Sequence, residues 1–178
     1  MSKKVKRLFS EFIPENYDLY LDINREKAKF AGKVTIRGQK VSRPNKRITF
    51  HQSGLKAISA KIIKHNKKDN SEFTVSRINN HDSFDEMRIH SGELLHPGSY
   101  TIEIEFSGKI TPQMNGIYPC NFKINGKNKQ LIATQFESHH AREVFPCIDE
   151  PEAKATFDLS ITSPKGETVI ANTPVKSQ

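Results

Sequence analysis

The chain has 178 residues, no tryptophan and only two cysteines, Cys120 and Cys147. Two thiols cannot build a disulfide scaffold or a four-thiolate zinc site. Hydrophobic residues are 35% of the total, and mean hydropathy is −0.64. No apolar run approaches the roughly 18 residues that a membrane helix needs, so no membrane partner is expected. The start, MSKKVKRLFS, carries charge without an apolar stretch behind it, which is unlike a secretory leader. With Met1 as the native start, the expected location is the cytoplasm. There is no repeat of 20–50 residues and no HExxH, the helical metal-binding pair of zinc peptidases.

What is present is a period of two. Tyr17, Leu19, Leu21 and Ile23 alternate with polar residues, as do Val34 and Ile36, then Ile102, Ile104 and Phe106, then Phe157, Leu159 and Ile161. Each pattern predicts a strand with one dry face. Weaker strands are expected at 46–51, 55–64, 72–78, 84–90, 116–124, 130–136 and 168–171. His96-Pro97-Gly98, Asn125-Gly126 and Ser163-Pro164-Lys165-Gly166 are turn signals between such runs. The expected fold is mostly β, an antiparallel sandwich or saddle-like sheet, filling one domain of ordinary size.

One stretch breaks the pattern. Residues 135–154, QFESHHAREVFPCIDEPEAK, are dense in charge, histidine and proline. Ser138 is placed to cap a short helix over 139–145 that Pro146 ends, and Pro151 suits the first position of another helical turn. The result is an irregular or helical insert near 138–154, the kind of connection on which sites tend to sit.

Its residues allow several readings. Gln135 and Glu137 lie two apart at the end of an apolar strand, so both side chains share a face, with Phe136 on the other. Together they are either a solvated strand edge or a site for an ammonium group. His139 and His140 are adjacent and share no helix face, so exposed loop histidines are a better reading than a metal site with Glu143. Cys147, flanked by Phe145 and Ile148, reads as a buried inert thiol rather than a nucleophile served by those histidines. Cys120 follows Pro119 on a strand and has no partner signal. Arg142, Asp149, Glu150 and Lys154 read as ion pairs that fix the loop.

Net charge is +8, with basic segments at 3–7 and 64–68. Neither is interleaved with aromatics, so a solvated surface is expected and no specific nucleic acid. A non-catalytic binding or scaffolding module with this basic surface is the alternative to an enzyme part.

The stretch 134–157, TQFESHHAREVFPCIDEPEAKATF, resembles without a gap the signature TQ-x-E-x-x-x-A-R-x-x-F-P-C-x-D-E-P-x-x-K-A-x-F of the N-terminal domain of M1 zinc aminopeptidases. Further likeness runs through Pro14–Leu19, Phe30–Ile36, Leu94–Gly108, Gly116-Ile117-Tyr118 and Asn172-Thr-Pro-Val175, with Thr173 where Met is usual. Ser138-His139-His140 departs from the commoner Ala-Thr-Asp.

The resemblance implies that Glu137 anchors a substrate's free α-amine beside a second glutamate from the GAMEN loop of the catalytic domain. It implies that Gln135 lines the same pocket and orients the first residue. Arg142, Pro146, Cys147, Asp149 and Pro151 carry over as structural. A branch of the family that hydrolyses epoxides typically has Gln at position 137, so Glu137 points to an aminopeptidase. The family's zinc ligands, general-base glutamate and transition-state tyrosine belong to a following domain of the same chain. Residues 1–178 are therefore expected to be a C-terminally truncated N-terminal β domain. It would be inactive alone, with zinc only in the parent and peptide N-termini as substrate.

Overall fold

A computed structural model describes residues 7–67 and 69–177. Eleven strands dominate it: β1 Phe12–Asn24, β2 Lys29–Lys40, β3 Asn45–His51, β4 Lys56–His65, β5 Asn70–Phe73, β6 Val75–His81, β7 Glu86–Leu95, β8 Gly98–Lys109, β9 Gly116–Ile124, β10 Lys127–Gln135 and β11 Thr156–Thr162. No helix among the described residues is long and apolar enough to cross a membrane.

The strands form a six-stranded sheet in the order β11-β1-β2-β8-β4-β5, a three-stranded sheet β3-β7-β6 and the hairpin β9–β10. Pairing is antiparallel except where β11 joins β1 in parallel. The sequence period becomes burial directly. On β2, Phe30, Val34 and Ile36 are buried, and on β8 Tyr100, Ile102, Ile104 and Phe106 are buried. Strand alternation turns the polar residues between them mostly outward.

The two larger sheets share one core. Phe12 of β1 meets Phe50 of β3 edge to face, their ring centroids 5.6 Å apart. Glycines at the centre of the large sheet make room for aromatic rings. Gly32 lies opposite Phe106, and a Cβ there would come within 2.5 Å of the ring. Gly108 lies opposite Phe30 in the same way, at 2.3 Å.

Three local expectations need correction. The run 72–78 is divided between β5 and β6, which belong to different sheets. Thr74 breaks it, and its carbonyl accepts the Gly92 N–H at 3.0 Å instead of pairing in one ladder. No strand forms at 168–171, where Ile170 is 88% exposed. An apolar triplet without a partner edge gains nothing by extending. The helix expected over 139–145 shrinks to a three-residue 3-10 turn, Ala141–Glu143.

Candidate functional site

The β9–β10 hairpin delivers the first candidate residue. Its Asn125-Gly126 turn has positive φ at both positions, 50° and 76°, as a two-residue hairpin turn of the mirror-image type requires. That turn sets the register down to Gln135, the last residue of β10, opposite Gly116.

The chain leaves the strand at this point, so period two does not carry on to Glu137. Phe136 turns inward, its ring 6.1 Å from Phe145. Gln135 Oε1 accepts the backbone N–H of Glu137 at 3.1 Å. The structure thus joins Gln135 and Glu137 by a side-chain-to-backbone bond, not as two converging side chains. The Glu137 carboxylate is exposed and has no partner among the described residues.

The next residues are tied to one another. Ser138 does not cap the turn; its hydroxyl meets His139 Nδ1 at 2.8 Å. The His139 and His140 rings stack at 4.6 Å. His140 Nδ1 lies 2.7 Å from Glu143 Oε1, and the carboxylate can only accept there, which puts a proton on Nδ1. Among the described residues no three His, Cys, Asp or Glu side chains gather as a metal site. These residues therefore do not fit a zinc ion.

Beyond the turn, bonds from distant strands fix the segment. Arg142 Nε donates to Asp149 Oδ2 at 3.0 Å, and its Nη2 donates to the Asp149 carbonyl at 3.3 Å. Asp85 lies 3.6 Å from the same guanidinium. The Arg142 carbonyl accepts the Ser53 N–H at 2.8 Å. Pro146 is buried. Cys147 exchanges two backbone bonds with His51, of 2.7 and 3.2 Å. Burial pushes the Cys147 thiol well above its ordinary value, so the thiolate that a nucleophile needs is disfavoured.

Two side chains outside the segment, neither of them marked as a partner for it by any local motif, complete the clamp. The Tyr17 hydroxyl, on β1, accepts the Ile148 N–H at 3.0 Å. His51 Nδ1, at the end of β3, accepts the Asp149 N–H at 3.0 Å. His51 is 9% exposed, and burial followed by the Arg142 charge holds its pKa below the usual imidazole value. The neutral ring is the form that can accept. Tyr17 and His51 lie 131 and 98 residues from their partners, so no local pattern announces them.

Glu150 faces the other way. Its carboxylate accepts the Leu8 N–H at 2.8 Å and the Phe9 N–H at 3.4 Å, and pairs with Arg7 at 3.3 Å. The expected four-residue ion cluster is thus two separate arrangements. Lys154 forms no ion pair among the described residues. Pro151 is exposed in a turn closed by the Ala153 N–H to the Glu150 carbonyl at 2.9 Å. Of the basic segments, residues 3–6 and Lys68 lie outside the described residues, and Lys64 Nζ sits 5.7 Å over the Tyr100 ring.

Fold and site together define a β domain that clamps a polar segment and leaves one carboxylate of that segment, Glu137, free. Residues 13–178 match the family described as the peptidase M1 N-terminal domain, and the chain belongs to that family. It is 44% identical over 177 residues to an aminopeptidase N of Lactococcus lactis subsp. lactis, covering 98% of this chain and 19% of that protein. An aminopeptidase N of Lactobacillus delbrueckii subsp. lactis is 40% identical over 96% of this chain and 19% of its own length. An aminopeptidase A of Gloydius brevicauda is 29% identical over 92% and 17%. The chain therefore spans about a fifth of the length of these relatives.

Proposed function

We propose that this chain is the substrate-anchoring N-terminal domain of an M1 aminopeptidase, with Glu137 receiving the free α-ammonium of a peptide. The observation that carries the reading is the state of the Glu137 carboxylate. It is exposed and unpartnered, while its own backbone N–H is held by Gln135 and the following segment is clamped to β1 and β3. A carboxylate on a fixed backbone meets a cation with little ordering left to do. The other acidic side chains of residues 135–154 are already engaged, Glu143 by His140, Asp149 by Arg142, Glu150 by the Leu8 amide and Glu152 by Arg7.

In this reading Glu137 sets which bond is cut. An N-terminal ammonium satisfies the carboxylate through charge-assisted hydrogen bonds, and an internal peptide bond has no cation to offer. Gln135 then acts by holding the Glu137 backbone, which makes it a positioning residue. Arg142, Pro146, Cys147, Asp149 and Pro151 support the segment. The parent's zinc, held by residues outside this chain, supplies the Lewis acid and activated water when bound. The 178-residue domain alone carries out no hydrolysis.

In the full-length parent, Glu137→Ala is expected to lower kcat/KM for unblocked peptides by about a hundredfold or more, the scale of one lost charge-assisted contact. An unchanged kcat/KM refutes the assignment. The 178-residue chain should release no fluorophore from an aminoacyl conjugate, and chelator-sensitive turnover by it would refute its dependence on the parent's zinc.

A further inference from the structure

We propose that the outer face of the three-stranded sheet binds a phosphate group, held by Arg47 and Arg77 from either side of His90. The site uses none of the residues assigned to the amine.

Register brings the three side chains into one row. Residues paired directly across strands put their side chains on the same face. His90 on β7, the central strand, pairs with Arg47 of β3 on one side and with Arg77 of β6 on the other. The neighbouring row, Ile48, Ile89 and Ile78, turns the opposite way and joins the core. Arg77 is exposed, and Arg47 and His90 are half-buried. Arg88 and Glu86 follow His90 along the same face of β7.

The row carries positive charge with no counter-charge. Arg7, Arg25, Arg88 and Arg142 each pair with a carboxylate. The Arg47 and Arg77 guanidiniums form no ion pair and no hydrogen bond among the described residues. Glu86 is taken by Arg88, 2.7 Å away. Lys46 Nζ donates to the Gly92 carbonyl at 2.9 Å, which brings a further cation to the strand two residues beyond His90. Burial, followed by Arg77, Arg47 and Arg88, holds the His90 pKa below the usual imidazole value. The ring is therefore neutral at pH 7 and keeps one N–H to donate, and it forms no hydrogen bond among the described residues. Clustered like charge costs stability, and an anion in the row removes that cost.

The spacing selects the anion. The stems of Arg47 and Arg77 start about 10 Å apart, two inter-strand spacings, with the imidazole between them. The two oxygens of a carboxylate are filled by one guanidinium fork. Inorganic phosphate or a phosphate monoester offers at least three free oxygens and about −1.5 to −2 of charge. Such a group accepts from both forks and from the His90 N–H together, and its charge matches two guanidiniums. Free phosphate and the terminal phosphate of a larger molecule share this chemistry.

The test uses the full-length parent, titrated calorimetrically at constant ionic strength with inorganic phosphate, O-phosphoserine and acetate. The double variant Arg47→Gln, Arg77→Gln should weaken phosphate binding about tenfold or more and leave kcat/KM for unblocked peptides unchanged. Lys29 and Lys109 face each other on β2 and β8, a like-charged pair with no histidine between them. Lys29→Gln with Lys109→Gln removes the same two charges and should leave phosphate affinity within about twofold. Equal losses in the two double variants would assign the binding to net charge and overturn the proposal. Binding kept by the arginine variant, or acetate bound as tightly as phosphate, overturns it as well. O-phosphoserine bound as tightly as phosphate identifies a monoester as the ligand, and binding of phosphate alone identifies the free ion. Arginine modification by phenylglyoxal with peptide mass mapping needs no variant. Phosphate at about ten times its Kd should slow modification of Arg47 and Arg77 about tenfold and leave exposed Arg43 reacting as before. Unprotected Arg47 and Arg77 overturn the proposal.

Discussion

The large sheet and the segment after β10 are held together in different ways. From Lys29–Lys109 to Lys40–Gly98, β2 and β8 pair without interruption, and apolar side chains on one side are sealed from water. Residues 136–155 have a three-residue turn, a single backbone bridge to His51 and a set of individual polar bonds. In the sheet, each contact is one of many similar ones, and loss is proportional to the area uncovered. In the segment, each bond satisfies a particular group that has no substitute nearby. Burying it without that partner costs about 1–3 kcal/mol. A segment held in this way keeps one backbone conformation while its exposed side chains stay free for a ligand.

The largest expected effect lies in the sheet. Phe106 is fully buried, and its ring covers Gly32. Phe106→Ala removes the ring and leaves a bare glycine opposite, so a loss of about 3–5 kcal/mol is expected. Urea unfolding of the domain measures it, and a loss below about 1 kcal/mol would show that the core collapses around the gap.

In the segment, Asp149→Ala leaves the Arg142 guanidinium, whose side chain is 15% exposed, without its main acceptor. The pair is not fully dry, so the expected loss is about 2–3 kcal/mol, below that of a sealed ion pair. The effect should be local. Limited proteolysis should cut within 136–155 at rates that leave β1, β2 and β8 intact. Uniform cleavage of the sheet would show that the segment and the sheet are one cooperative unit.

The third prediction concerns pH. His51 has its pKa depressed by burial and by Arg142, and His90 is depressed by burial and three arginines. For a depressed histidine, the folded state resists a proton that the unfolded chain accepts near pH 6.5. Stability is therefore fully present above about pH 6.5 and falls as pH drops toward the folded value, by at most about 1.4 kcal/mol per pH unit for each proton. His51→Asn keeps an acceptor for the Asp149 N–H and does not titrate. The variant should lose part of the slope between about pH 6.5 and 5 and keep the part due to His90. An unchanged slope would show that protonated His51 is tolerated against Glu150, 4.0 Å from its Nε2.

The central strands were legible because burial of one face imposes the period of two on β1, β2 and β8, whereas the same alternation on β11, an edge strand, does not become a dry face: Phe157 and Leu159 stay 54% and 46% exposed. Tyr17, Leu19 and Leu21 are buried as their alternation predicts. The segment was legible as a departure from that period but not in its wiring. Ser138 looks like a helix cap because the residues after it have helical composition, yet its hydroxyl finds His139 first. The shared face expected for Gln135 and Glu137 assumed that the strand continues, and it ends at Gln135. His51 sits at the end of a correctly placed strand, and only the fold reveals that its ring faces Asp149. Bonds between residues about a hundred positions apart leave no periodic trace in a single sequence.

The smallest expected effect tests the other side of the sheet. Lys33 and Glu103 lie 2.9 Å apart on its polar face, and the lysine pKa is raised mainly by its hydrogen bond to that glutamate. Both side chains are substantially exposed, 46% and 28%, so water and salt compete with the pair. Lys33→Ala should change stability by less than about 0.5 kcal/mol, and less still at high salt. Urea unfolding at two salt concentrations measures this. A loss above about 1 kcal/mol would mean that the polar face holds the sheet by specific bonds, as the segment is held. The contrast between the two regions would then reduce to a difference in secondary structure, with the same kind of hold in both.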